Sequence, residues 1–147
     1  MPAEKSGGFV DTNVLVYAFD KTRSPKQQIA QQLIQELMEQ DDLRLSTQIL
    51  QELFVTMTRK VAQPCSHQAA LRIMDDLAVW PLFVVDYAAI RAAVELSRDA
   101  QISFRDALVV VAAERSGADR LYTEDLNTGQ AILGVRIVNP FRADPEN

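Results

Sequence analysis

Short apolar runs spaced by amphipathic stretches constrain this chain more than any other feature. "GGFV" (7–10), "LRLS" (43–46), "PLFVV" (81–85), "RLYT" (120–123) and "VRIV" (135–138) are each long enough for one brief strand. The intervening segments read at helical period. "SPKQQIAQQLIQELMEQ" sets Ile29, Ala30, Leu33, Ile34, Leu37 and Met38 on one stripe, and "TQILQELFVTMTRK" does the same with Ile49, Leu50, Leu53, Phe54 and Met57. "SHQAALRIMDDLAVW" carries Ala70, Ile73, Met74 and Leu77 on its apolar side. Ser46 or Thr47, Ser66, Asp86 and Ser103 stand where N-caps belong, and Gly117 closes "FRDALVVVAAERS". Parallel strands need long crossovers and cover on both faces, so this alternation predicts an α/β fold around a parallel sheet. "PLFVV", unbroken in its apolar character, is expected to be covered on both sides.

A chain of 147 residues with 48% hydrophobic and 24% charged content can bury one proper core. Residues 1–141 are expected to form a single domain, with 142–147 a frayed tail. No apolar run approaches the roughly 18 residues of a membrane span. "MPAEKSGG" lacks a secretory apolar stretch, so a cytoplasmic location is expected. One cysteine, Cys65, excludes an internal disulfide and a cysteine-rich zinc site. One histidine, His67, with no nucleophile elbow, leaves no basis for a serine–histidine–aspartate triad. Both read most simply as residues around the turn capped by Ser66.

The acids carry the chemistry. Ligands of open α/β sheets gather outside the carboxyl ends of the strands. Asp11 directly follows "GGFV", and Asp125 follows "RLYT". Asp106 falls in the first turn of the "FRDALVVV" helix, and Glu52 in the first or second turn of the helix after "LRLS". Each has an ordinary alternative: a helix cap for Asp11, a capping box with Ser103 for Asp106, a turn cap for Asp125, a polar helix face for Glu52. Convergence of all four would require either that several be protonated or that a cation compensate them, since two like charges about 4 Å apart repel by roughly 4 kcal/mol at an effective dielectric near 20. An oxygen-only ligand set without clustered His or Cys points to a hard ion such as Mg²⁺ or Mn²⁺. Such an ion can activate water and bind phosphate, which suits phosphodiester hydrolysis. The net charge of −5 argues against a broad basic nucleic-acid surface unless the acid is gathered where cations sit.

"VDTNVLV", "QEL" around Glu52, "SFRDALVVVAAERSGADRLYTEDL" and "GVRIVNPF" together resemble the PIN-domain family, and within it the VapC-type ribonuclease toxins of toxin–antitoxin pairs. The pieces run in the family's order from about Phe9 to Phe141. The resemblance implies a three-layer α/β/α sandwich with a parallel, roughly five-stranded sheet and an acidic Mg²⁺/Mn²⁺ pocket. It implies Asp11 and Asp106 as direct metal ligands and Asp125 as a ligand through water or for a second ion. Glu52 would orient water or complete the catalytic set. Thr12, Asn13, Ser103 and Thr123 match positions that support these carboxylates by hydrogen bonds.

The activity so implied is an endoribonuclease acting on single-stranded or looped RNA, working as a homodimer and silenced by an antitoxin protein whose carboxyl-terminal segment covers the site. Arg105, beside Asp106, is the leading candidate for contact with the RNA backbone. Lys21, Arg23, Arg59 and Lys60 are secondary candidates. A non-toxin PIN nuclease in RNA processing and an inactive PIN fold used for binding share these residues. A receiver domain would want paired acids after the first strand and a lysine after the last. A halo-acid-type phosphohydrolase would want Asp at position 13, which is Asn. A dinucleotide fold lacks its glycine fingerprint.

Overall fold

The computed structural model describes residues 6–22 and 24–142. Arg23 and positions 143–147, and with them most of the expected frayed tail, lie outside the described residues. The chain builds β1 (Gly8–Val10), α1 (Thr12–Phe19), α2 (Pro25–Glu39), β2 (Leu43–Ser46), α3 (Thr47–Val55), α4 (His67–Leu77) and β3 (Leu82–Phe83). It continues through α5 (Tyr87–Ala100), α6 (Phe104–Arg115), β4 (Arg120–Tyr122), β5 (Ala131–Ile132) and β6 (Val135–Val138). The sheet order is β3-β2-β1-β4-β6-β5. Phe9 stands opposite Arg44 on one side and Leu121 on the other, which makes β1 a central strand.

The five anticipated strands form and pair in parallel. A sixth, β5, runs antiparallel to β6. Its two residues are too few to register as an apolar run. The connection is a two-residue turn of Leu133 (φ 53°) and Gly134 (φ 76°), the left-handed pair that a tight hairpin requires. "PLFVV" yields only two strand residues at the sheet edge, and Val84 is 66% exposed. The run is covered less than expected: Leu82, Phe83 and Val85 are half-buried against the core clusters, while Pro81 and Val84 are exposed where the chain leaves this edge strand for α5.

Two crossovers step outward from β1 through β2 to β3, and the third returns to β4 beside β1. Right-handed crossovers accordingly place α5 and α6 on the face opposite α1–α4, giving the three layers. Phe9, Val10, Leu43, Leu45, Leu121 and Ile137 fill the sheet's part of the core with no exposed surface. α6 is buried along its whole middle, Ala107 to Ala113. Val109, Val110, Ala112 and Ala113 join the main core, while Ala107, Leu108 and Val111 pack with Ala89 and Ala93 of α5. Small residues on both helices permit that close approach. Gly8 is equally constrained: a Cβ there would lie 2.7 Å from the side chains of both Leu37 and Tyr122.

The caps form as the sequence predicts, with Ser46, Ser66, Asp86 and Ser103 each accepting a backbone N–H of the following helix. α3 does not run on regularly to Lys60. Its end widens into a π-helical turn over Thr56–Lys60, where the Thr58 hydroxyl donates to the Phe54 carbonyl at 2.7 Å. No helix among the described residues is long and apolar enough to cross a membrane.

Candidate metal centre

The chain leaves β1 in one direction and re-enters the sheet at β4 from the other, so the crevice between the carboxyl ends of these strands is the topological switch point. Asp11 follows β1 by one residue, and Thr123 and Asp125 follow β4. Glu52 comes from the second turn of α3. Asp106 is delivered by a tight connection in which Gln101 takes a left-handed conformation (φ 53°) at the end of α5 and Ser103 caps α6. Ser97 Oγ, donating to the Ile102 carbonyl at 2.7 Å, holds that connection down.

Asp11 is only 1% exposed. It caps α1 by accepting the Thr12 N–H at 2.7 Å on Oδ1, while Oδ2 accepts the Thr123 hydroxyl at 2.7 Å. Thr123 Oγ1 also accepts the Asp125 N–H at 3.1 Å, so one buried hydroxyl ties the two acids together. The Thr12 hydroxyl donates to Glu52 Oε1 at 2.7 Å. Gln48, one turn earlier on α3, donates to Glu52 Oε2 and to the Arg105 carbonyl, each at 3.3 Å. Capping and site-building are thus one arrangement for Asp11, not competing roles.

The Arg105 guanidinium lies among the acids. Nη2 donates to Asp11 Oδ1 at 2.6 Å and to Glu52 Oε1 at 2.5 Å, and Nε donates to Glu52 Oε2 at 3.1 Å. Nη1 is 3.0 Å from Asp11 Oδ2, 3.1 Å from Asp106 Oδ1 and 3.4 Å from Asp125 Oδ2. One guanidinium thus faces four carboxylates, and the cluster keeps an excess of negative charge.

Protonation equilibria record the imbalance. Burial, followed by the negative fields of Asp11 and Asp106, raises the Asp125 pKa above its ordinary value. Burial pushes Glu52 upward too, but hydrogen bonds from Arg105 and Thr12 outweigh it and Glu52 titrates below the usual carboxylate range. For Arg105, burial favours the neutral form, and the bonds to Asp11 and Glu52 reverse that and raise its pKa.

Asp11, Asp106 and Asp125 each offer a carboxylate oxygen, all within 4.8 Å of one another, and could hold one metal ion. The donor set is oxygen throughout and suits a hard divalent cation. Beside it runs a groove of about 690 Å³ with an apolar wall of Val16, Tyr17 and Val55 and Lys60 on its rim.

The family model for the PIN domain matches residues 8–131. The chain belongs to the PIN-domain family. Its fold is similar to that of FitAB bound to an IR36 DNA fragment (TM-score 0.71, 16% identity, 95% of this chain and 99% of that chain covered). It is also similar to a toxin–antitoxin complex from Klebsiella pneumoniae (TM-score 0.69, 18% identity, 93% and 100% covered). A third likeness is to Mycobacterium tuberculosis VapC20, a sarcin–ricin-loop-cleaving toxin (TM-score 0.64, 22% identity, 81% and 90% covered). No curated protein sequence matches the chain significantly.

In this PIN domain the four predicted acids meet at one place, and Thr12 and Thr123 bind them directly. Ser103 accepts the Asp106 N–H at 3.0 Å, supporting that residue's backbone and not its carboxylate. Asn13 lines the groove, and its Oδ1 is buried without a hydrogen-bond partner. Arg105, expected at the rim, turns its guanidinium inward. Lys21, Arg59 and Lys60 are exposed, and of these Lys60 lines the groove. Gln48 was not legible as a site residue, although its position four before Glu52 on one helix is a usable signal. Tyr17 was missed as well. Its hydroxyl donates to Glu124 Oε1 at 2.7 Å, and its ring faces Phe141 edge-on.

Proposed function

We propose that this PIN domain is a Mg²⁺- or Mn²⁺-dependent endoribonuclease that hydrolyses RNA phosphodiester bonds and serves as the toxin of a toxin–antitoxin pair. The observation that carries the proposal is the meeting of four acids from four separate segments at the β1–β4 switch point, three of them able to share an ion. A purely structural account leaves that accumulation of like charge without a purpose.

Asp11, Asp106 and Asp125 would hold the ion. The chemistry supplied there by a divalent cation would be a lowered pKa for water and an offset to charge developing on the phosphate. Glu52, oriented by the Thr12 hydroxyl, would accept the proton of the attacking water at a carboxylate oxygen. Thr123 fixes Asp11 and the backbone of Asp125, and Gln48 fixes Glu52. RNA lies in the groove, with its bases against Val16, Tyr17 and Val55 and its backbone toward Lys60 and Arg105.

The same apolar wall suits a covering segment of an antitoxin protein, and solved relatives include a toxin–antitoxin complex. Tyr87, Ile90 and Val94, exposed at 73%, 38% and 56% along one side of α5, support assembly as a homodimer. The location proposed is the cytoplasm, where RNA is met.

The test is incubation of the purified, antitoxin-free chain with total RNA in Mn²⁺, beside Asp106→Asn and an EDTA control. Discrete products that vanish in both controls are expected. Asn at position 106 keeps the backbone N–H that Ser103 accepts, so the variant should melt as the wild type does. Cleavage by Asp106→Asn at the wild-type rate would overturn the assignment.

A further inference from the structure

Arg105 Nη1 occupies the point that an ion bound by the three aspartates would need. It lies 3.0, 3.1 and 3.4 Å from one oxygen each of Asp11, Asp106 and Asp125. A Mg²⁺ ion binds oxygen at about 2.0–2.1 Å, so a shared ion and Nη1 would fall on nearly the same spot. Two cations so close, competing for the same lone pairs, exclude one another. The backbone of Arg105 cannot relieve this: it sits in the first turn of a capped helix, and its carbonyl accepts from Gln48. The side chain can. It is 33% exposed and opens onto the groove, where several torsions separate it from open space.

We propose that Arg105 is a built-in counter-cation, holding Asp11, Glu52, Asp106 and Asp125 together in the metal-free protein and leaving for the groove when a divalent ion binds. The inference rests on the metal-site reading above and adds an exchange to it. Guanidinium and metal alternate on one set of carboxylates. The released guanidinium is then free beside the ion, in position for a phosphate of the RNA. Metal affinity in this chain is accordingly set by a competitor within its own sequence, and loading is cooperative with RNA binding, because a phosphate rewards Arg105 for leaving.

Calorimetric titration of Mn²⁺ into metal-free wild type, Arg105→Gln and Arg105→Lys tests this. Removing the competitor should tighten Mn²⁺ binding in Arg105→Gln by about tenfold or more, the effect of one displaced contact charge. Arg105→Lys, with one point charge in place of a fork, should fall between the two. Should Arg105→Gln fail to fold, side-chain NMR of ¹⁵N-labelled wild type gives the same answer. The Arg105 guanidinium should show slowed rotation without metal and free rotation after Mg²⁺. Equal or weaker Mn²⁺ binding in Arg105→Gln, or a guanidinium signal unmoved by Mg²⁺ that binds, overturns the exchange alone. Absence of binding in every protein overturns the exchange and the metal site together.

Discussion

The Thr123 hydroxyl, 1% exposed, donates to Asp11 Oδ2 at 2.7 Å across 112 positions of sequence. It joins the ends of the two central strands β1 and β4 at the point where the acids gather. Thr123 Oγ1 in turn accepts the Asp125 N–H, so a single β-branched side chain fixes the spacing of two candidate ligands.

Thr123→Val keeps the shape and removes the hydroxyl. It leaves the buried Asp11 oxygen one donor short and the Asp125 N–H without its acceptor. A loss of about 2 kcal/mol is expected, seen as a fall of roughly 4–8 °C in Tm. Mn²⁺ affinity should fall by about tenfold or more, as with other groups that orient a ligand. Thr123→Ser should recover most of both, which calorimetry and thermal melts on the three proteins will check.

Gly8 predicts a packing effect that reaches the site. In Gly8→Ala the new methyl meets Leu37 and Tyr122 side chains at 2.7 Å; Leu37 is buried in the core and Tyr122 packs against it. Overpacking of this kind costs about 1–3 kcal/mol. Because Gly8 begins the strand that leads into Asp11, cleavage activity should fall with stability. Urea unfolding midpoints read the first effect and RNA cleavage the second, and an unchanged midpoint would refute the close approach.

The alkaline limb of stability reports on Lys26 and Tyr17. Lys26 Nζ is 2.8 Å from Glu124 Oε2 and donates to the Tyr17 hydroxyl at 3.3 Å. The bond to Glu124 is the main cause raising Lys26, while burial and then the Glu124 bond raise Tyr17. Both groups hold their protons more tightly folded than unfolded. Their stabilisation is therefore complete below the unfolded values, 10.5 for Lys26 and 10.0 for Tyr17, and is lost as pH rises through the folded-state values. The double variant Lys26→Met, Tyr17→Phe should lose stability less steeply than wild type above about pH 9.5. Urea melts across that range measure the difference, and equal slopes would contradict it.

Much of this molecule was legible because its strands are short, apolar and bounded by cap residues. Ser46, Ser66, Asp86 and Ser103 announce helices, and positions just past strand ends, taken together with the motif set, mark Asp11 and Asp125. What the sequence concealed has particular causes. β5 is two residues long and depends on Leu133 adopting a left-handed conformation, which leucine does not advertise. The π-helical turn after α3 carries an ordinary helical pattern. "PLFVV" has the composition of a covered strand, but its place at the edge of the sheet is decided by topology. Arg105 shows the same limit at the site: its neighbour Asp106 was informative, yet which way its guanidinium turns depends on acids from three other segments. Asp11 was posed as cap or ligand, and the fold makes it serve as an N-cap within the acidic cluster.

The most direct measurement is anomalous diffraction from crystals of the antitoxin-free chain grown with Mn²⁺. One strong manganese peak bound by Asp11, Asp106 and Asp125 is expected, with the Arg105 guanidinium turned out into the groove. Arg105 still seated between those carboxylates at saturating Mn²⁺, with no manganese among them, would contradict that expectation.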